Sequence, residues 1–139
     1  MTHHAYTEAD ITALFRAHGI LPTAQRVFIA HVLFQQMSHL SADDLHSKLN
    51  HSGRRVSKAT VYNTLGLLTE KGVIREVVAD PSRIFYDPNT APHHHFYDVD
   101  TGTLSDIDAK GVEIHGLPPT PPGTQLDGVE VIVRLRSAK

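Results

Sequence analysis

Apolar positions recur at three- and four-residue spacing through the first half of the chain, then give way to short β-rich runs after Gly72. Ile11, Leu14 and Phe15 share one face of a segment that Thr7 can cap, with Asp10 completing an approximate capping box and Gly19 closing it. This predicts a helix over 7–18. After the break at Leu21-Pro-Thr23, Thr23 can cap a second helix running to about Met37, striped by Val27, Ala30, Phe34 and Met37. Ser41-Ala-Asp-Asp44 signals a third helix, acidic in its first turn where the helix dipole favours negative charge, with Ala42, Leu45 and Leu49 inward. His51-Ser-Gly-Arg-Arg55 reads as a loop. Ser57 caps a fourth helix with Val61, Leu65 and Leu68 on its apolar side, and Glu70-Lys-Gly72 ends it.

The runs Val73 to Val78 and Arg83 to Asp87 flank Ala79-Asp-Pro-Ser82, a turn signal, and predict a hairpin. Helices followed by one hairpin make a winged helix-turn-helix. Asp87-Pro-Asn-Thr-Ala-Pro92 carries two prolines and reads as a linker. Short strands are expected near 95–99 and 103–107. Leu117-Pro-Pro-Thr-Pro-Pro-Gly123 excludes regular helix or sheet. Val129 to Leu135 is a last strand, apolar in two registers, as a buried or dimer-paired strand would be. The expected class is α+β: a winged helix-turn-helix over 1–86, a hinge at 87–92, and a small α/β dimerisation and metal-sensing domain over 93–139. Because the second half is too short to make a comfortable core alone, a homodimer is expected.

Composition refines this picture. The net charge is −2, but residues 1–86 hold nine Lys/Arg against seven Asp/Glu, and residues 87–139 hold four against eight. The halves differ in sign, as expected if only the first meets phosphate. There are no cysteines, which excludes disulfides and Cys-ligated structural zinc and makes a cytoplasmic location the default. No apolar run is long enough for a membrane span, and the first residues lack a signal-peptide pattern.

Two constellations carry chemistry. The fourth helix leaves Lys58, Thr60, Tyr62 and Asn63 on its outer side, where N-terminal residues of such a helix meet base edges in the major groove. Tyr can contact a thymine methyl and Asn can pair with adenine. Arg54, Arg55 and Lys58 sit at the helix start, with Arg26 on the second helix and Arg83 at the wing, as candidates for phosphate contact. The partner expected is double-stranded DNA of AT-rich sequence.

The second constellation is His93-His-His95, in a chain with 11 histidines. In extended backbone His93 and His95 point one way and His94 the other. Asp106 on a neighbouring strand and Asp87 at the linker can add carboxylates. Imidazole with carboxylate suits Fe(II) or Mn(II), with Zn(II) also compatible, rather than a soft copper site. His39, just before a helix cap, is ambiguous by local pattern. His3 and His4 read as a tail, and His18, His31, His46 and His51 as helix-surface or loop residues. Two His and one carboxylate also make the facial triad of non-haem iron oxygenases, but so few strands cannot supply the barrel such enzymes need. No enzyme is expected. A winged-helix interaction module without metal is the alternative from another class.

Leu21-Pro-Thr-Ala-Gln-Arg26, Ser41-Ala-Asp-Asp-Leu45, Lys58-Ala-Thr-Val-Tyr-Asn-Thr-Leu65, Lys71-Gly-Val-Ile74 and His93-His-His-Phe96, in that order, resemble the ferric uptake regulator superfamily. The run Pro88-Asn-Thr-Ala-Pro-His-His-His-Phe96 is most similar to its iron response regulator branch. The resemblance implies a repressor with a DNA-contacting Arg26 and Tyr62. It also implies an inter-domain metal site of His39, Asp87, His93, His95 and Asp106, which brings His39 into the set. A second metal site of the family is matched by His94 and Glu113 but interrupted at Pro92 and Val129, with His115 as a substitute. Asp98 and Thr101 stand where the family's first zinc-binding Cys pair would lie. The branch further implies haem as an effector, bound through the His93–His95 block. A peroxide sensor using the same five ligands is the alternative within the family.

Overall fold

The computed structural model describes residues 6–35 and 39–138. His3, His4, Met37 and the end of the second predicted helix lie outside the described residues. The chain divides into two units, Met1–Thr90 and Ala91–Lys139.

In the first unit, four helices form where the apolar stripes predict them: α1 (Glu8–Ala17), α2 (Ala24–Gln35), α3 (Ala42–His51) and α4 (Lys58–Glu70). Their starts are chemical. Thr7 and Ser41 each accept the N–H of the third helical residue, and Asp10 and Asp44 reach back to the cap N–H, making two full capping boxes. Thr23 Oγ1 accepts Arg26 N–H at 3.2 Å, and Ser57 Oγ accepts Thr60 N–H at 3.1 Å. Two helix ends turn through glycine at positive φ, Gly19 (71°) and Gly72 (76°), a conformation that side chains with a Cβ resist. Ile11, Phe15, Ile29, Leu33, Leu45, Leu49, Val61, Leu65 and Leu68 are buried in one core.

Against these helices lies a three-stranded antiparallel sheet of order β1-β3-β2, from β1 (Leu40–Ser41), β2 (Arg75–Asp80) and β3 (Arg83–Asp87). The predicted hairpin is therefore present, with a register shift between Val78 and Asp80. Its tight turn is held by Asp80 Oδ1, which accepts from Ser82 N–H at 2.8 Å and from the Ser82 hydroxyl at 2.7 Å. β1 was not anticipated, because its two residues coincide with the capping signal of α3. Asp87, read as the end of the second wing run and the start of the linker, ends β3 opposite Arg75. The unit is a winged helix-turn-helix.

The second unit is a sheet of order β5-β4-β6, from β4 (His94–Asp98), β5 (Thr103–Ile107) and β6 (Ile132–Leu135). β4 and β5 are antiparallel, with His95 opposite Asp106, and β6 runs parallel to β4. A parallel return needs a crossover. Residues 108–131 provide it, with one 3-10 turn (Ala109–Gly111) and the proline-rich stretch outside regular structure, as its composition requires. Asp100 Oδ2 accepts the Ser137 N–H at 2.7 Å and pins the chain after β6. That bond holds the Asp100 carboxyl below the usual carboxylate range. Among the described residues of this unit, Tyr97 and Leu104 are the buried hydrophobic side chains, while Val133 and Leu135 on β6 are exposed in the single chain.

Leu65 is fully buried in the helical core, so Leu65→Ala should cost about 2–5 kcal/mol of unfolding free energy. Ser57→Ala, which removes the cap and the exposed hydroxyl contact with Thr60, should cost about 1 kcal/mol. Denaturant titration of the two variants checks both the magnitudes and their order.

Candidate metal centre and nucleic-acid interface

Strand pairing assembles a ligand group inside the second unit. Directly opposed residues of an antiparallel pair bring their Cβ atoms to roughly 5 Å, and diagonal neighbours remain in reach of long side chains. His95 opposes Asp106, and His93, two residues earlier on the same face, reaches it diagonally. Asp106 Oδ1 lies 3.2 Å from His93 Nε2 and 3.4 Å from His95 Nε2. One ligand atom from each of the three residues lies within 4.8 Å of the others. The two rings meet edge-on, with centroids 4.5 Å apart. His95 is fully buried, His93 is buried, and Asp106 is half exposed.

The other nitrogen of His93 shows which atom is offered. Nδ1 is 2.6 Å from the Ala91 carbonyl, which can only accept, so Nδ1 carries a proton and Nε2 is the nitrogen turned toward Asp106. Metal-ligating histidines commonly donate from their second nitrogen to such a carbonyl. Two imidazole nitrogens and a carboxylate oxygen, with no thiolate, fit a divalent ion of the Fe, Mn or Zn type.

The first unit holds a separate His/Asp pair. His39 directly precedes β1 and Asp87 ends β3, the strand that β1 joins. Their side chains meet at 3.0 Å, Nε2 to Oδ2, with Asp87 only 1% exposed. Asp87 Oδ1 accepts the Asn89 N–H at 2.9 Å, which fixes the carboxylate plane.

His94, Glu113 and His115 do not gather into a comparable group among the described residues. His94 Nδ1 accepts the Val131 N–H at 2.9 Å, so this ring ties β4 to the last segment of the chain. Glu113 and His115 pair at 3.3 Å on an exposed stretch.

The nucleic-acid candidates lie on the first unit. Tyr62 is half exposed, Lys58 and Asn63 are exposed, and Thr60 is partly covered, while Val61, Thr64, Leu65 and Leu68 face the core. Arg26 donates to the Leu21 carbonyl at 3.1 Å, and the Arg54 guanidinium stacks 4.0 Å over the Phe28 ring. Arg55 is exposed beside the start of α4. Arg83 lies 5.3 Å from the Phe85 ring centroid and 3.6 Å from Asp44, and Lys58 lies 3.5 Å from Asp43. Those two acids were read in the sequence only as capping residues. Their contacts with bases on α4 and the wing arise from tertiary packing, which no local spacing announces.

Between α4 and the wing lies a cleft of about 240 Å³ lined by Ser41, Tyr62, Pro81, Arg83, Ile84 and Tyr86, among others. Burial, then the Glu76 carboxylate, then Tyr62 push the Tyr86 hydroxyl above its ordinary value of 10.0, so it stays neutral and can donate at neutral pH.

A winged helix with exposed basic and aromatic residues, followed in the chain by a β unit carrying a His/His/Asp group, is the make-up of a metal-responsive DNA-binding regulator. Residues 17–116 match the ferric uptake regulator family, a family of transcription regulators rather than enzymes, and the chain belongs to it. It is 30% identical over 113 residues to the peroxide operon regulator of Bacillus subtilis, covering 81% of this chain and 77% of the relative. The fold resembles that of the Vibrio cholerae ferric uptake regulator, with TM-score 0.72 and 20% identity over 91% of this chain and 98% of that one. It also resembles the Pseudomonas aeruginosa ferric uptake regulator with manganese, with TM-score 0.71 and 24% identity over 92% of this chain and 98% of that one. Among the described residues no helix is long and apolar enough to cross a membrane.

The His39–Asp87 contact should matter without any metal. His39→Ala leaves a buried carboxylate short of a partner and should lower the stability of the metal-free protein by about 1–3 kcal/mol. Asp106→Ala, at a half-exposed residue, should cost less than His39→Ala. Thermal unfolding in chelator checks the difference.

Proposed function

We propose that this chain is a homodimeric, metal-responsive repressor of iron homeostasis that binds AT-rich double-stranded operator DNA. Fe(II) or Mn(II) is the effector, with Zn(II) as an alternative occupant. The observation that carries this reading is the His93/His95/Asp106 group, formed by strand register with the Nε2 atom of His93 ready to ligate.

On this reading His39 and Asp87 of the first unit complete the ligand set, so five residues from two units serve one ion. A bound divalent ion supplies positive charge that offsets the two carboxylates. The protein's part is mechanical. Ligands contributed by both units fix the angle between them, and in a dimer that angle sets the separation of two α4 helices across half-sites one helical turn apart. Such a clip changes DNA affinity only by the difference in metal affinity between competent and incompetent geometries, typically about 1–3 kcal/mol.

On the DNA side, Arg26, Arg54, Arg55, Lys58 and Arg83 take phosphates, while Thr60, Tyr62 and Asn63 meet base edges. Stacking on Phe28 gives the Arg54 guanidinium a fixed place before DNA arrives. The scant apolar burial of the second unit and the exposed Val133 and Leu135 favour self-association through that half.

A second reading is favoured by the identity to a peroxide operon regulator. The same ligands would then serve iron-driven oxidation of a coordinating histidine. One added oxygen atom on a peptide containing His39 or His93–His95, found by mass spectrometry after peroxide treatment of the iron-loaded protein, selects this reading. An unmodified peptide selects the iron-homeostasis reading.

The proposal is tested by anaerobic mobility shift on AT-rich promoter DNA with and without Fe(II) or Mn(II). The wild type should shift its DNA affinity by about 5–150-fold with metal, and the double variant His93→Ala/His95→Ala should show no metal response. A double variant that still responds to metal refutes the assignment. Tyr62→Ala should weaken specific binding while leaving non-specific binding nearly intact, whereas Arg55→Ala should weaken both and flatten the salt dependence.

A further inference from the structure

Just ahead of β6, Glu130 places Oε1 3.1 Å from Nδ1 of His95. The approach is set by backbone pairing rather than by chance on a surface. The Val131 carbonyl accepts the His95 N–H at 3.1 Å, and the Val131 N–H donates to His94 Nδ1 at 2.9 Å. The chain next to Glu130 is thus pinned to the start of β4 from two directions. The His95 side chain is fully buried, and that of Glu130 is only 26% exposed. Asp106 faces the opposite nitrogen, Nε2, at 3.4 Å. A buried imidazole therefore sits between two carboxylates, one at each nitrogen.

We propose that Glu130 is a positioning residue for metal binding, holding the His95 ring at Nδ1 so that Nε2 is the nitrogen offered to an ion beside Asp106. The inference rests on the metal-responsive reading and adds to its ligand set a residue outside it. A neutral imidazole offers a lone pair on one nitrogen only, so a charged acceptor at Nδ1 decides which nitrogen ligates. His93 receives the same instruction from a neutral acceptor, the Ala91 carbonyl at 2.6 Å. Sequence patterning could not single out Glu130, because it lies 35 positions from His95 and alternates with valines as any strand-edge acid does.

The test is a calorimetric titration of the full chain with Mn(II) for the wild type, Glu130→Ala, Glu130→Gln and Asp127→Ala, an exposed acid on the same segment. Glu130→Ala should weaken Mn(II) binding by about 10–100-fold. Glu130→Gln, which keeps an acceptor oxygen, should recover much of the loss, and Asp127→Ala should bind as the wild type does. Long-range proton–nitrogen NMR of the histidine rings in the diamagnetic Zn(II)-loaded protein supplies a readout that packing alone would not move. His95 should ligate through Nε2 with its proton on Nδ1 in the wild type, and this tautomer should lose its dominance in Glu130→Ala. Wild-type affinity in Glu130→Ala, or an unaltered His95 tautomer, overturns the inference. A wild-type protein that takes up no Mn(II) overturns the metal reading and this inference with it, and is told apart because it fails before any substitution is made.

Discussion

The pairing of β4 with β5 is the constraint on which the chemistry of this chain depends. With His95 opposite Asp106, side-chain alternation sends His93 to the same face and His94 to the other. A slip of one residue would exchange those faces and disperse the ligands. What fixes the register is therefore part of the site. The His95 N–H bond to Val131 and the His94 ring bond from Val131 hold β4 from one side, and the turn built on Asp98 Oδ1, which accepts from Asp100 and Thr101, holds it at the end. His94, whose ring accepts the Val131 N–H, thereby contributes to keeping its two neighbours in place.

The first unit solves a different problem, that of presenting charge and aromatic surface without losing its core. Four capped helices bury their apolar residues, α2 on nearly all sides, and leave the outer side of α4 to polar residues. The basic residues there are already engaged: Arg54 with Phe28, Lys58 with Asp43, and Arg83 with Asp44. The two ion pairs are well exposed and contribute little to stability, so phosphate can replace the carboxylates at small cost.

Most of the helical unit was legible in the sequence, because caps and stripes there are local. Thr7 with Asp10 and Ser41 with Asp44 mark helix starts from residues three apart, and the packing only confirms them. Long-range features were not legible. β1 is two residues long and is hidden under the α3 cap. The last strand, expected from Val129, begins at Ile132. His93, His95 and Asp106 followed from alternation and strand order. His39 came only from family likeness, and Glu130 from neither, because its partner is reached through a parallel crossover that no spacing encodes.

The proposed function requires that His39 and Asp87 bind the same ion as His93, His95 and Asp106. Anomalous diffraction from crystals of the Mn(II)-loaded protein tests it most directly. The account predicts one peak per chain within bonding distance of His39, Asp87, His93, His95 and Asp106. A peak bonded only by residues of one unit, or one lying away from the paired histidines of the second unit, would contradict it.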